Sequence, residues 1–137
     1  MLCSLYRVLR ENERLSELIQ GFNFNQYCQT EISQLSTGNK KKVFLIAGFY
    51  LKRALLILDE PFDGLDFEAT EYLYQCLRAY KNYGTVLMSP HFAESVGRVC
   101  DRLYLLEEVG LEFFQGDLTD WLAMIQLKGV QDVEGNL

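Results

Sequence analysis

The sequence is short of several residue types that would point directly to a function. It has one histidine, one tryptophan, two prolines and four cysteines in 137 residues. With so little proline and only ten glycines, collagen-like and low-complexity readings fall away. The cysteines, Cys3, Cys28, Cys76 and Cys100, form no Cys-x-x-Cys pair. That removes the usual spacing of a zinc site and offers no disulfide framework. They read instead as small buried hydrophobes of a reducing, cytoplasmic setting. Long apolar runs are missing as well. The longest, Val43 to Leu51, meets Lys52 and Arg53, well short of the roughly 20 apolar residues a bilayer needs. The start, Met1-Leu2-Cys3-Ser4-Leu5-Tyr6-Arg7, lacks the basic start, apolar stretch and cleavage site of a secretory signal.

What is present suits a globular core: 49% hydrophobic and 23% charged residues, in a length that fits one domain or part of one. The net charge of −6 is unevenly spread. Residues 1–53 hold eight Lys and Arg against four Asp and Glu, whereas residues 54–137 hold five against fifteen. The basic first part is a reason to look for a polyanion there. The acidity of the whole argues against a general nucleic-acid binder, so nucleic acid is not an expected partner.

Leu2, Leu5, Leu9, Leu15, Leu18 and Ile19 recur at helical spacing and predict a helix over 2–20, ended by Gly21. Residues 22–34 read as a short loop with a turn or helix. Ser36 stands as N-cap before a helix over 37–51, with Asn39 at the capping-box position. Ala54-Leu55-Leu56-Ile57-Leu58 is a continuous apolar run suited to a parallel strand buried on both faces. An amphipathic helix follows from Phe67 to Asn82, with Asp66 as N-cap and Gly84 just past its end. Thr85 to Ser89 reads as a strand and Phe92 to Val99 as a helix. Leu103 to Leu106 and Leu111 to Phe114 read as strands turning at Val109-Gly110, before a helix from Asp117 to Leu127 capped by Asp117 or Thr119. Strand and helix alternate, which is the pattern of an α/β sheet wrapped by helices. In such sheets, function gathers at the carboxyl ends of strands.

Three groups of residues stand where chemistry is expected. Asp59 and Glu60 follow the first strand directly, although strands disfavour Asp. They suit a magnesium-associated Asp with a Glu that activates water, and equally a solvated loop start before Pro61. His91 falls just past the second strand, where an imidazole can donate to phosphate; alone it reads as a surface or satisfied polar residue. Leu35-Ser36-Thr37-Gly38-Asn39 opens a helix, and a helix start with free N–H groups suits an anion. Lys40, Lys41 and Lys42 add positive potential there. By itself this stretch reads as a capped helix with a solvated basic face.

The order and spacing of these groups resemble the nucleotide-binding domain of ABC transporters. Leu35-Ser36-Thr37-Gly38-Asn39 resembles the signature motif, usually Leu-Ser-Gly-Gly-Gln. Leu55-Leu56-Ile57-Leu58-Asp59 resembles the Walker B strand, with Glu60 at the catalytic glutamate. Phe62-Asp63-Gly64-Leu65-Asp66 resembles the D-loop, and Ser89-Pro90-His91 puts His91 at the switch histidine. Cys100 to Leu106, with Gly110 and Gly116, resembles the closing strands. The resemblance covers residues 32–118. It departs at Thr37, in place of the first signature glycine, and at Asn39, in place of glutamine.

The resemblance implies an α/β fold, a partial P-loop NTPase (RecA-like) core carrying the end of the ABC helical subdomain. Residues 1–52 would be the helical remainder with the signature motif, residues 53–128 the C-terminal half of the ATPase core, and residues 129–137 a tail. It implies ATP and Mg²⁺ as cofactors and a cytoplasmic subunit lying on the inner face of the membrane through a transmembrane permease. A second nucleotide-binding subunit would pair with it head to tail. Ser36 and Gly38 would face the partner's γ-phosphate, with Thr37 and Asn39 completing that binding motif. Asp59 would hold magnesium through water and Glu60 would polarise the attacking water. His91 would sense the γ-phosphate, and Asp63 and Asp66 would couple the two sites. No Gly-x-x-x-x-Gly-Lys-Ser/Thr occurs in the chain, so the phosphate loop is expected upstream of Met1. Positioning is worth about 7–11 kcal/mol of barrier, against about 10²–10⁴-fold for a general base. The chain alone is therefore expected to be inactive. The alternative is a non-enzymatic interaction module that pairs with a full-length ATPase subunit.

Overall fold

The structure, a computed structural model, describes residues 12–89, 93–107 and 110–114 together with positions 116, 120, 121 and 123. These residues fall into two compact units divided between residues 90 and 91. The functional division expected at 52/53 lies within the first of them, at the junction of a helix with a strand.

Helix α1, Glu13–Gly21, is capped by Asn12, whose side chain accepts the Leu15 N–H at 3.3 Å. The single helix expected over 2–20 is corrected at Asn12, which is extended (φ −98°, ψ 101°) and opens a fresh helix at Glu13; the residues expected to be helical before it lie outside the described residues. Gly21 is the last residue of α1, and the reason for glycine there is packing, since an added Cβ would stand 2.0 Å from the Tyr72 ring; the left-handed residue that redirects the chain is Asn23, at φ +56°. Two short 3₁₀ turns, Asn25–Tyr27 and Ile32–Gln34, fill the stretch up to Leu35.

Helix α2 runs Thr37–Leu51 from a Ser36 cap. Its buried residues Lys42, Leu45, Ile46 and Phe49 recur at i, i+3, i+4 and i+7, one face of a helix. It stops at Lys52, which is left-handed at φ +47°. In its last turn the Phe49 carbonyl accepts Arg14 at 2.7 Å, as helix ends require outside donors. Just past the helix, the Lys52 carbonyl accepts Tyr83 Oη and that of Arg53 accepts Tyr80 Oη at 2.6 Å.

Strand β1, Leu55–Asp59, pairs in parallel with β2, Thr85–Ser89, in the register Leu55 to Thr85 and Asp59 to Ser89. The connection between them is helix α3, Phe67–Tyr80, capped by Asp66, whose carboxylate accepts the Ala69 N–H at 2.9 Å. Ala69, Leu73, Tyr74, Leu77 and Tyr80 face inward. The core lies among the three helices, where Phe22 meets Tyr72 edge-on at 5.0 Å and Phe49 meets Tyr80 at 5.6 Å.

Burial of the first strand on both faces is corrected by the structure. Leu56, Leu58, Val86 and Met88 are half-buried, but Leu55, Ile57 and Leu87 on the opposite face are more than half exposed, Ile57 at 66%. Helix α3 packs against β2, and α2 comes close at Gly48, beside Leu56. The apolar run correctly gave a parallel strand, but residue type alone does not say what covers each face.

In the second unit, helix α4, Ala93–Val99, buries Ser95, Val96 and Val99. Strands β3, Tyr104–Glu107, and β4, Gly110–Phe113, pair antiparallel, one residue out of step with the expected bounds. Positions 120, 121 and 123 are helical. The expected caps Asp117 and Thr119 and the tail lie outside the described residues. The cysteines described, Cys28, Cys76 and Cys100, are free thiols and half-buried, less enclosed than expected. Burial pushes the Cys76 thiol up to about 11, so it stays protonated and unreactive at neutral pH.

Leu73 is 0% exposed at the centre of the helical core. Leu73→Ala should lower the unfolding free energy by about 2–5 kcal/mol, read from urea denaturation. A loss below about 1 kcal/mol would remove α3 from the centre of the core.

Candidate functional site

The site residues gather where three segments meet: the start of α2, the carboxyl ends of β1 and β2, and the loop from Glu60 to Asp66. Asp59 closes β1 and is exposed. Its register partner Ser89 donates its hydroxyl to Asp59 Oδ1 at 2.5 Å. Glu60, the next residue, is left-handed at φ +45°, a conformation non-glycine residues seldom hold. Its N–H donates to the Ser89 carbonyl and hydroxyl oxygens, each at 3.2 Å, and its carbonyl accepts Lys41 Nζ at 2.6 Å.

The chain then turns back on itself. Asp63 N–H donates to the Glu60 carbonyl at 3.2 Å, and Leu65 N–H to that of Phe62 at 3.3 Å. Phe62 is buried against Tyr74, with ring centroids 4.8 Å apart. Gly64, at φ +73°, permits the turn. This turn faces Gly38: a Cβ added to Gly38 would stand 2.2 Å from the Gly64 carbonyl oxygen. Gly38 is thus the signature-like residue at which backbone meets backbone. Thr37, where the family pattern has glycine, is exposed, and its side chain is accommodated.

Ser36 Oγ accepts the Asn39 N–H at 3.3 Å. Asn39 therefore takes part in the cap through its backbone. Ser36 and Thr37 remain exposed and Gly38 half-buried at the positive end of a 15-residue helix, an arrangement that attracts an anion. Asp63 is half-buried in the loop beside it. His91 lies outside the described residues.

The basic face expected over Lys40–Lys42 is corrected in two of its three members. Lys41 is committed to the Glu60 carbonyl, and Lys42 to Asp66 Oδ2 at 2.5 Å. The Lys42 side chain is 5% exposed and that of Asp66 53%. Asp66 thus uses one carboxylate oxygen to cap α3 and the other to hold Lys42. The hydrogen bond from Lys42 is the main cause holding the Asp66 carboxyl below its ordinary value; partial burial opposes it, and the Ala69 N–H adds to the lowering. Lys41, Lys42 and Ser89 are the participants that sequence reasoning missed. Lys42 had a signal, a lysine on the apolar stripe of its helix. Lys41 and Ser89 had none, because their partners are distant in sequence.

Among the described residues, no group of three or more His, Cys, Asp or Glu could hold a metal ion. Asp59 offers hard oxygen at an exposed strand end, which fits one carboxylate's share of a magnesium site completed by phosphate and water. A cavity of about 350 Å³ in the second unit, lined by Val96, Cys100, Arg102 and Phe113 among others, draws on the closing-strand stretch and includes none of the residues expected to meet nucleotide or metal.

Residues 8–91 match the family model described as "AAA domain, putative AbiEii toxin, Type IV TA system". The chain is 41% identical over 104 residues to the "Putative ABC transporter ATP-binding protein AlbC" of Bacillus subtilis, an alignment covering 75% of this chain and 44% of that one. It is 35% identical over 116 residues to the "Uncharacterized ABC transporter ATP-binding protein YhaQ" of the same organism, covering 82% and 39%. A solved ATP-binding subunit of an ABC transporter superposes with a TM-score of 0.63 at 31% identity, covering 67% of this chain and 39% of that one. The chain belongs to the ATP-binding domain family of ABC transporters. Its fold is a partial α/β P-loop NTPase core, and the AAA-domain match falls within the same broad class of ATPases. The toxin–antitoxin wording describes the matched family, not this chain. The chain spans less than half the length of these curated relatives. No helix among the described residues is long and apolar enough to cross a membrane.

Two outcomes test this geometry. Gly38→Ala pushes a methyl into the Gly64 carbonyl and should cost about 1–3 kcal/mol of stability, whereas Thr37→Ala should stay within about 0.5 kcal/mol. Equal effects in thermal denaturation would rule out the close approach at Gly38. The second outcome is a pH dependence. A carboxyl whose pKa is depressed on folding adds stability above its unfolded value, here 3.8, and loses it as the pH falls through the folded one. Asp66→Asn keeps a good cap but removes the charge. Discounted for the exposure of Asp66, it should cost about 1–3 kcal/mol at neutral pH. The gap to the wild type should close below about pH 4. A gap of the same size at pH 7 and in acid, by urea denaturation, would mean that the Lys42 pair does not contribute.

Proposed function

We propose that this chain belongs to an ATP-binding subunit that couples ATP binding and hydrolysis to transport by a membrane permease, on the cytoplasmic side of that membrane. The observation that carries this reading is the seating of the α2 start on the loop that follows β1, with Gly38 against Gly64 and Lys41 on Glu60. One short region thereby holds an anion-attracting helix end and a strand-end carboxylate pair.

In this reading Ser36, Thr37, Gly38 and Asn39 form the edge that meets phosphate held by a second nucleotide-binding subunit. Ser36 has already accepted its capping N–H, so its hydroxyl proton is available to a phosphate oxygen. Asp59 would hold Mg²⁺ with ATP, and the ion would offset phosphate charge. Glu60 orients and polarises water. Asp63 lies in the loop that would face the second subunit head to tail, and Asp66 fixes that loop to α2. His91 would sense the γ-phosphate. The exposed sheet face at Leu55, Ile57 and Leu87 favours the second reading, a non-enzymatic module that pairs with a full-length ATPase subunit.

Without a Gly-x-x-x-x-Gly-Lys-Ser/Thr loop of its own, the 137-residue chain should release phosphate from ATP at background rates. A turnover of about 1 s⁻¹ or more, abolished by Glu60→Gln, would overturn that expectation. Mixed with a P-loop-bearing ATP-binding subunit, the chain should raise ATP hydrolysis, and Gly38→Asp should remove the gain. No gain with the wild-type chain would leave only the pairing module, to be read by co-sedimentation.

A further inference from the structure

We infer that Lys41 is a positioning residue for Glu60: from the first turns of α2 it fixes the left-handed backbone that aims the Glu60 side chain. The inference rests on the reading of Glu60 as the water-polarising residue and adds to it a group that neither the motif pattern nor the comparisons assign. Three observations carry it. Glu60 is held at φ +45°, which a β-carbon opposes. Such a conformation persists only where its surroundings over-determine it. The surroundings described here act on both sides of the residue. Its N–H is tied to Ser89, and its carbonyl accepts the Lys41 ammonium at 2.6 Å, a short charge-assisted bond.

The direction of the tie gives it meaning. Ser89 belongs to the sheet, as Asp59 does, so the N–H side anchors Glu60 to the strand ends. Lys41 belongs to α2, whose first residues are Thr37 and Gly38. The carbonyl of Glu60 also accepts the Asp63 N–H, so the same oxygen fixes the start of the loop to Asp66. A shift of the α2 start therefore bears on the Glu60 backbone through Lys41. Lys42, the next residue, is committed elsewhere, to Asp66, so the two adjacent lysines hold the two ends of one loop.

The test uses the isotopically labelled 137-residue chain and reads Glu60 by nuclear magnetic resonance. A left-handed residue gives a strong intraresidue amide-to-Hα Overhauser effect, because the two protons lie close together. The effect should be strong at Glu60 in the wild type, collapse in Lys41→Met and be retained in Lys41→Arg, while signals of α3 stay in place. Persistence of the effect in Lys41→Met would overturn the inference. Should Lys41→Met fail to fold, the wild type decides: the Lys41 ammonium should give a signal protected from solvent exchange, with contacts to the Glu60–Asp63 turn, and its absence would overturn the inference. A second arm reads hydrolysis in the mixture with a P-loop-bearing subunit. There Lys41→Met should lower kcat about tenfold to a hundredfold with KM for ATP unchanged, and Lys41→Arg should restore it. A loss of kcat without any change at Glu60 would mean that Lys41 acts otherwise than through the Glu60 backbone, a rise in KM alone would assign it to substrate binding, and either would overturn the positioning role. If Glu60→Gln leaves hydrolysis in the mixture unchanged, the catalytic reading of Glu60 fails, while the resonance outcome still decides what holds its backbone.

Discussion

The structure around the site depends on one ammonium group that has been taken out of water. Lys42 sits on the apolar stripe of α2 between residues that belong there, and its side chain is 5% exposed. A buried charge of this kind is tolerated only with a partner close by. Asp66 meets it at 2.5 Å. Because Asp66 also caps α3, one carboxylate fixes the start of α2 against the start of α3. The separation of those two helix starts then decides how closely Gly38 passes Gly64, and the clearance left is too small for a β-carbon. A pair like this roughly breaks even in free energy against an apolar replacement. Its value lies in the register it sets.

The same register explains why the signature-like motif tolerates one departure from the family pattern and rejects another. Thr37 and Gly38 are adjacent and look equivalent in a motif that usually carries two glycines. They point to different surroundings. Thr37 is exposed at the first turn of α2, where a side chain meets solvent. Gly38 faces the backbone of the loop. The residue that keeps its glycine is the one with no room, and the residue that has lost it is the one with room to spare.

What was legible in the sequence is what is local. Ser36 and Asp66 announce the starts of α2 and α3 because a cap is a matter of three residues. Strand β2 ends at the expected bounds because its apolar run is short and flanked by Gly84 and Pro90. The order of Ser36, Asp59, Glu60 and Asp66 pointed to the candidate site, and the fold brings the segments that carry them together. The ties that build it were not legible. Lys41 meets a carbonyl 19 residues away and Lys42 a carboxylate 24 residues away, and composition read these lysines as a solvated basic face. The sheet failed in a similar way. Leu55, Ile57 and Leu87 have the composition of a face buried in a parallel sheet, but being covered is a property of neighbours and not of the residues themselves.

That half-covered sheet changes which part of the molecule must hold the strand-end carboxylates. Among the described residues this sheet has two parallel strands, too few to be independently stable, and one of its faces gains little from burial. Full burial of each exposed Leu or Ile would be worth about 1.5–3 kcal/mol, so the sheet carries less of the stability than its composition suggests. The load falls on the three-helix core, where Phe22, Leu73, Leu77 and Tyr80 are closed to solvent. Tyr80 reaches from that core to the Arg53 carbonyl just before β1, and Lys41 reaches from α2 to the Glu60 carbonyl just after it. Both ends of β1 are thereby fastened to helices. Asp59 and Glu60 hold their places because the helices on either side of the strand fix where it begins and where it stops.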